Sequence, residues 1–460
     1  MNTTIALFAL WASVFFLGTP FRKPVTSPPT LMDRLGSSLA GPNVVDWIKA
    51  NLIPLKTCEP GSGFADLQRL KKLVGDARVV SLGEATHGTH EFFRMKHRLL
   101  EFLVSEMDFN VFAIEAPMPQ AAYINRYLMD GVGDPAEALA RISWPLDTME
   151  MLDMIHWMRR YNLDPKHTRK LKFFGFDMQD PRYALKFLLG YLATVDPEQA
   201  RLSGEALKPL MVSPGVVSPL TEAQLRPWAE HVHKLLARLE AQAKDYQDRS
   251  SAGTLVAAQQ NARLLSQWAE LKADPLRAGR VRERAMAENV QWILQHEGPG
   301  ARMVLWAHNL HVEVTPHPEG PQIMGAHLRE ALGNDMVVFG FVFNHGGFES
   351  RDRSIVGHPL RTFVVAPEPK ATMEEALARA GFPLFILDLR KLPNQGVAAN
   401  WFQVAQGVRE MGSVYTPANP DSALRVRWFT WSFDALIFVD STTPAAPNPP
   451  SARKEVHSIQ

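Results

Sequence analysis

Eight short runs rich in β-branched and aromatic residues punctuate this 460-residue chain, and none alternates apolar with polar side chains. They are Arg78 to Leu82, Val111 to Ile114, Leu171 to Phe176, Met303 to Ala307, Met336 to Phe343, Thr362 to Val365, Leu384 to Leu389 and Ala435 to Val439. A strand with water on one face needs alternation, so these runs predict strands covered on both faces, as in a mostly parallel sheet. Helical patterns separate several of them, which predicts an α/β fold with a central sheet flanked by helices. From about 183 to 295 no strand pattern occurs. There Trp228, Val232, Leu235, Leu236 and Leu239 repeat at helical spacing, as do Met286, Val290, Ile293 and Leu294. This stretch is expected to form a helical insertion or lid on the sheet.

The flanks read differently. Residues 19 to 41 mix Pro, Ser, Thr and Gly without periodicity, and 441–460 are poorer still in core formers. We read 25–41 as a linker and 441–460 as a disordered tail around a domain spanning 42–440. Ile5 to Gly18 form an apolar run of 14 residues, the length of a signal-peptide core and short for a membrane span. No Lys or Arg precedes it, while Arg22 and Lys23 follow. Residues 1–24 are thus a cleaved signal peptide or an amino-terminal anchor, with a floppy hydrophobic extension as the remaining reading. Either of the first two places the protein in the periplasm or outside the cell, an anchor holding it to the membrane through residues 5–18.

Lys and Arg total 49 against 48 Asp and Glu, so no global field attracts nucleic acid. No nucleic-acid partner is expected, and a monomer is. The single cysteine, Cys58, excludes an internal disulfide and any Cys-x-x-Cys zinc or redox site.

The run Val79 to Glu91 passes from a buried strand through the loop Gly83-Glu84-Ala85-Thr86-His87-Gly88-Thr89 into a helix starting near Glu91. In open α/β sheets ligands bind at this carboxyl end of the strands. Thr89 is placed to cap the helix, whose first-turn N–H groups favour negative charge nearby. Glu84 and His87 share one tight loop, where the carboxylate can orient the imidazole as a general base. The bland alternative has Glu84 tying down the loop and His87 idle. Repetition argues against it: the next strand ends in Glu115, the following one in Asp177, and Met303 to Ala307 ends in His308-Asn309-Leu310-His311. Four strands that deliver ionisable groups at one end imply a shared cleft.

A neutral histidine, a carboxylate fixing its tautomer and a group that steadies an oxyanion together suit hydrolysis. No Gly-x-Ser-x-Gly elbow, Gly-x-x-x-x-Gly-Lys loop or His-Glu-x-x-His helix occurs in the sequence. Metal binding is the competing reading, because His87/His90 and His308/His311 form two His-x-x-His pairs with Glu115 and Asp177 available. Against it, extended backbone after the strand would turn the His308 and His311 rings to opposite faces. Arg94, Lys96 and His97 are expected on a solvated helical face, with one of them able to reach back into the cleft. Arg282, Glu283 and Arg284 read as structural salt bridges, and Trp306 as core.

Taken together, Gly83 to Phe92, Ala113-Ile114-Glu115-Ala116, Gly175-Phe176-Asp177, Arg282 to Asn289, Trp306 to Val312 and Phe433 to Val439 resemble the erythromycin esterase family, over roughly residues 75 to 440. The resemblance implies opening of a macrolide lactone or related ester by activated water, with no covalent intermediate; neither metal nor cofactor is expected, because each acid or base of the cleft already has a role in a metal-free scheme and no Cys or His-Glu-x-x-His site occurs. His87 matches the family's essential histidine, Glu84 and Glu115 its two active-site acids, and His308 its second active-site histidine. Lys96, His90, Asp177 and Asn309 are expected to bind substrate. Macrolide esterases of the family often hold arginine at the position of Lys96, so here the charge is kept and the bidentate fork lost. Other members carry the label succinoglycan biosynthesis protein. The partner expected is a small-molecule ester or lactone. A metal-dependent hydrolase acting on an amide or envelope glycan ester, and a non-catalytic ligand-binding protein of the same fold, are the rival readings.

Overall fold

The computed structural model describes residues 39–449, apart from 143, 212–220, 321 and 368–370. The run Ile5 to Gly18 and its export reading therefore lie outside the described residues. Among those described, no helix is long and apolar enough to cross a membrane. In chain order the strands are β1 (Leu52–Pro54), β2 (Val79–Leu82), β3 (Val111–Pro117), β4 (Lys172–Asp177), β5 (Met303–Trp306), β6 (Met336–Asp352), β7 (Leu360–Val365), β8 (Leu384–Asp388), β9 (Gln406–Arg409), β10 (Val414–Tyr415), β11 (Leu424–Arg427) and β12 (Ala435–Thr442).

Among the described residues ten strands make one sheet in the order β1-β8-β12-β6-β2-β5-β3-β4, with β7 and β10 paired to the long β6; β9 and β11 form a separate pair. The pairings β12/β6, β6/β2, β2/β5, β5/β3 and β3/β4 are parallel. Only β1/β8, β8/β12 and β6/β7 are antiparallel within this sheet. The fold is α/β with a mostly parallel sheet, and each of the eight unalternating runs lies on a strand.

The missing alternation has a direct cause. Val79, Val111, Ala113, Met303 and Leu305 enter one buried cluster. Their strand neighbours Val80, Phe112, Ile114, Val304 and Trp306 enter another. Successive side chains thus alternate between two cores, and both must be apolar. Helices Pro181–Val195, Ala252–Ala273 and Ala278–Glu297 cover the first face through Leu185, Leu265, Met286 and Val290. Helix His90–Met107 covers the second through Phe92, Met95 and Leu99. Each fully buried side chain of this kind contributes about 1.5–3 kcal/mol.

Residues 441–449, the described part of the stretch read from sequence as a tail, depart from that expectation, and 450–460 lie outside the described residues. β12 runs to Thr442, and residues 443–448 lie against 88–91 and 147–150 through backbone hydrogen bonds. Backbone bonding anchors a segment that has little apolar surface to bury, and hydropathy patterns do not register it.

Candidate active site

Because β2, β5, β3 and β4 are neighbours and parallel, their carboxyl ends share one edge of the sheet, where Glu84, His308, Glu115 and Asp177 converge. The loop after β2 is stitched in place: Gly83 N–H donates to the Phe339 carbonyl (2.8 Å), Asn309 N–H to the Glu84 carbonyl (2.9 Å), and Met411 N–H to the Ala85 carbonyl (2.7 Å). A Cβ on Gly83 would collide with the Asn309 amide oxygen, and one on Gly88 with the Glu349 carbonyl. Glycine is needed at both for close approach. Thr89 occupies the N-cap position of helix His90–Met107 but makes no side-chain cap bond. Its buried hydroxyl finds no partner among the described residues.

Glu84 is 2% exposed. Its Oε1 meets His87 Nδ1 at 2.6 Å, and its Oε2 accepts from Lys96 Nζ at 2.6 Å and from Trp306 Nε1 at 2.7 Å. Burial pushes the carboxyl upward, but Lys96 and the His87 hydrogen bond outweigh it and leave Glu84 lowered to about 2. An ionised carboxylate only accepts, so the Nδ1 proton resides on His87 and Nε2 is left as the basic nitrogen. Burial lowers Lys96 to about 8 against the pull of Glu84. Lys96 is fully buried, with Nζ 4.0 Å from the Trp306 ring centroid. It reaches back from its helix as one of the two sequence alternatives had it, yet stands behind Glu84 rather than facing a ligand. Trp306 lies in the core, but its N–H also serves the site.

The linkage carries a sign. A carboxyl whose folded pKa is depressed from 4.5 to about 2 adds stability that is fully present above pH 4.5 and lost as pH falls toward 2. The contribution is on the order of 3 kcal/mol. On acidification from pH 5.5 to 3, the parent should therefore lose about 2 kcal/mol more stability than Glu84→Gln, measured by urea unfolding. Equal losses in the two proteins would show that Glu84 is not held ionised.

His308 sits beside His87, ring centroids 5.1 Å apart. Leu310 N–H donates to its Nδ1 (3.2 Å), so its proton lies on Nε2, which donates to the Met411 carbonyl (3.2 Å). Burial, reinforced by His87 and His311, lowers it to about 3, and the ring is neutral. His311 behaves oppositely. Its Nδ1 faces Glu283 Oε1 at 2.7 Å and its Nε2 faces Glu115 Oε1 at 3.2 Å. Burial disfavours the cation, but the two carboxylates raise His311 to about 10. The 3.2 Å approach of Arg282 Nη1 to its Nε2 is then a contact between two donors that share Glu115, not a hydrogen bond. The expected extended backbone at 308–311 is absent: Asn309–Val312 is a helical turn, and the two rings stand 6.5 Å apart at 72°.

Glu115 accepts from Arg282 Nη2 (2.8 Å) and from the His308 backbone N–H (3.1 Å), in addition to its contact with His311. Burial opposes its charge, yet His311 and Arg282 hold it well below the carboxylate range. Asp177 Oδ2 accepts from the same Arg282 at 2.8 Å. Glu84, His87, Glu115, Asp177 and His308 are thus brought together. Asn309 is buried nearby, but its amide links the Phe341 backbone to Glu410, which fixes β6 rather than a ligand. His90 points elsewhere, Nδ1 on Glu150 at 2.6 Å. In the sequence Arg282 and Glu283 read as structural salt bridges, and no sequence signal marks the Met411 carbonyl. Arg282 does pair with carboxylates, and both of those line the site. Among the described residues no cluster of three or more His, Cys, Asp or Glu has a metal-holding arrangement.

Comparisons with known proteins agree with this architecture. The family model for erythromycin esterase matches residues 104–442. An erythromycin esterase type II from Escherichia coli is 24% identical over 379 residues, covering 76% of this chain and 89% of the relative. The solved structure of a Bacillus cereus protein superposes with a TM-score of 0.79 at 26% identity, covering 88% of this chain and 99% of that one. A solved succinoglycan biosynthesis protein does so with a TM-score of 0.76 at 26% identity, covering 88% and 98%. The chain belongs to the erythromycin esterase family, and that membership supports a hydrolase.

Proposed function

We propose that the protein hydrolyses a lactone or related carboxylic ester by a non-covalent route with His87 as general base. The observation that carries this reading is the cradle around Glu84, which keeps the carboxylate ionised and fixes the Nδ1 proton of His87. His87 Nε2 takes a proton as water oxygen bonds to the ester carbonyl carbon. The resulting tetrahedral oxyanion collapses, its C–O bond to the leaving alkoxide breaks, and that alkoxide recovers the proton from His87. Acid and alcohol result, with one water consumed.

Arg282 and the His311 imidazolium lie beyond His308 and are paired with Glu115, Asp177 and Glu283, so the oxyanion is balanced chiefly by the imidazolium that His87 becomes on taking the proton. Glu115 and Asp177 hold these cations, and Glu115, its oxygens taken by three donors, positions them rather than the water. Lys96 acts through Glu84, as its burial requires. The helical stretch after β4, including the helix that carries Arg282, borders the site and selects the substrate.

The test offers purified protein macrolides, simple lactones and aryl esters, with products followed by mass spectrometry before and after exhaustive chelation verified by elemental analysis. Addition of one water to at least one ester is expected in the chelated protein. Activity that vanishes on chelation and returns with stoichiometric zinc or manganese would overturn the acid–base roles. No turnover on any member of the panel counts against the hydrolase reading.

A further inference from the structure

Residues 443–448, Thr-Pro-Ala-Ala-Pro-Asn, begin one position past the last residue matched by the family and are hydrogen-bonded to the end of the loop after β2 that carries Glu84 and His87, the catalytic loop. The two prolines have no N–H and hold φ near −65°, so little conformational freedom is lost when the segment docks. Each of the four remaining backbone N–H groups donates a hydrogen bond. Thr443 donates to Glu91 Oε2 at 2.7 Å, and Ala445 to the Gly88 carbonyl at 3.1 Å. Ala446 donates to Glu150 Oε1 at 3.1 Å, and Asn448 to the Asp147 carbonyl at 3.1 Å. In return His90 N–H donates to the Thr443 carbonyl (3.0 Å) and Met149 N–H to the Ala446 carbonyl (2.7 Å). The Thr443 hydroxyl adds a second bond to Glu91 at 2.8 Å, and Ala445 is 2% exposed.

The attachment points are not scattered. Gly88 directly follows His87, and His90 and Glu91 open the helix that carries Lys96 to Glu84. Glu150 joins the two sides, since its Oε1 also meets His90 Nδ1 at 2.6 Å. The His90–Glu150 pair, unused in the reaction, is thus a fastening for the segment. We propose that residues 443–448 form a strap that positions the catalytic loop, holding His87 at working geometry through Gly88, His90, Glu91 and Glu150. This rests on the hydrolase reading for its effect on rate, but the restraint on the loop is measurable without any substrate.

Three proteins test the strap against the full chain: one ending at Thr442, one ending at Pro449, and Glu91→Ala, which deletes both carboxylate bonds to Thr443. Native-state amide exchange over residues 84–91 and hydrolysis of p-nitrophenyl acetate are measured on each. Ending at Thr442 should accelerate exchange at 84–91 by about ten-fold or more while core strands β2 and β5 keep their protection. It should lower kcat by about 10- to 100-fold with KM little changed, because a small displacement of a base costs rate rather than ground-state binding. Glu91→Ala should show the same signature more weakly, and the chain ending at Pro449 should match the parent. Unchanged exchange at 84–91 in the shortest chain overturns the proposal. So does acceleration spread evenly over the core strands, which would make the strap a general stabiliser. If the parent cleaves neither p-nitrophenyl acetate nor any other ester offered, the hydrolase reading fails, while the exchange data still decide whether the strap restrains the loop.

Discussion

Replacing His87 by alanine should lower turnover by about 100- to 10,000-fold and leave the fold intact, because it removes the base and little else. His308 cannot take over. Its Nδ1 is occupied by the Leu310 N–H, its Nε2–H by the Met411 carbonyl, and burial lowers its protonation to about 3. The fold should survive because His87 sits in a loop with its side chain 16% exposed, and Glu84 keeps Lys96 and Trp306 when the imidazole is gone. Glu84→Gln should also slow the reaction, by releasing the tautomer and orientation of His87. In the His87→Ala background it should add almost nothing, since both variants remove the same function. Single-turnover rates on the best ester of the panel, with urea unfolding alongside, measure this. A variant that keeps near-parental rates while folded would remove His87 from the chemistry, and fully additive losses would separate Glu84 from it.

Much of this arrangement is legible in the sequence because two-sided burial leaves a strong signature. The eight unalternating runs locate the strands that carry the site, and the ionisable groups that end four of them locate the edge on which it lies. What sequence misses is short or held by polar contacts. β1 has three residues and β10 two, too few for any periodicity. β6 continues through Asn344 to Asp352, whose polar and glycine content hides a strand that partners β7 and β10. The strap is invisible to hydropathy because backbone N–H groups, which every sequence has, do the fastening. Lys96 is legible as a charge on a helix but not as a buried one: residues 92–104 on that helix are nearly all covered, and amphipathic reasoning places charge outside. Arg282 is separated from Glu115 by 167 residues, so its pairing emerges only once the sheet brings β3 and the helix Ala278–Glu297 together.

The buried Lys96–Glu84 pair gives the other large expected effect, and it separates stability from chemistry. Lys96→Met keeps the length of the side chain and its packing against Trp306 and Phe341, but leaves Glu84 without its cation. Breaking one side of a buried ion pair costs about 3–5 kcal/mol, because the surviving charge lacks compensation. Lys96→Met should therefore be strongly destabilised at pH 7 in urea unfolding, and its turnover should fall as Glu84 gains a proton more readily and releases His87. Adding Glu84→Gln to Lys96→Met removes the stranded charge. The amide oxygen can still accept from Trp306 Nε1, so the double variant should recover most of the lost stability. Turnover should not recover, because a neutral amide no longer stabilises the imidazolium that His87 becomes when it takes the proton of water. If turnover returns together with stability, the charge on Glu84 is dispensable and the cradle is structural. If stability stays low in the double variant, Lys96 holds the core through its ring contacts rather than through Glu84.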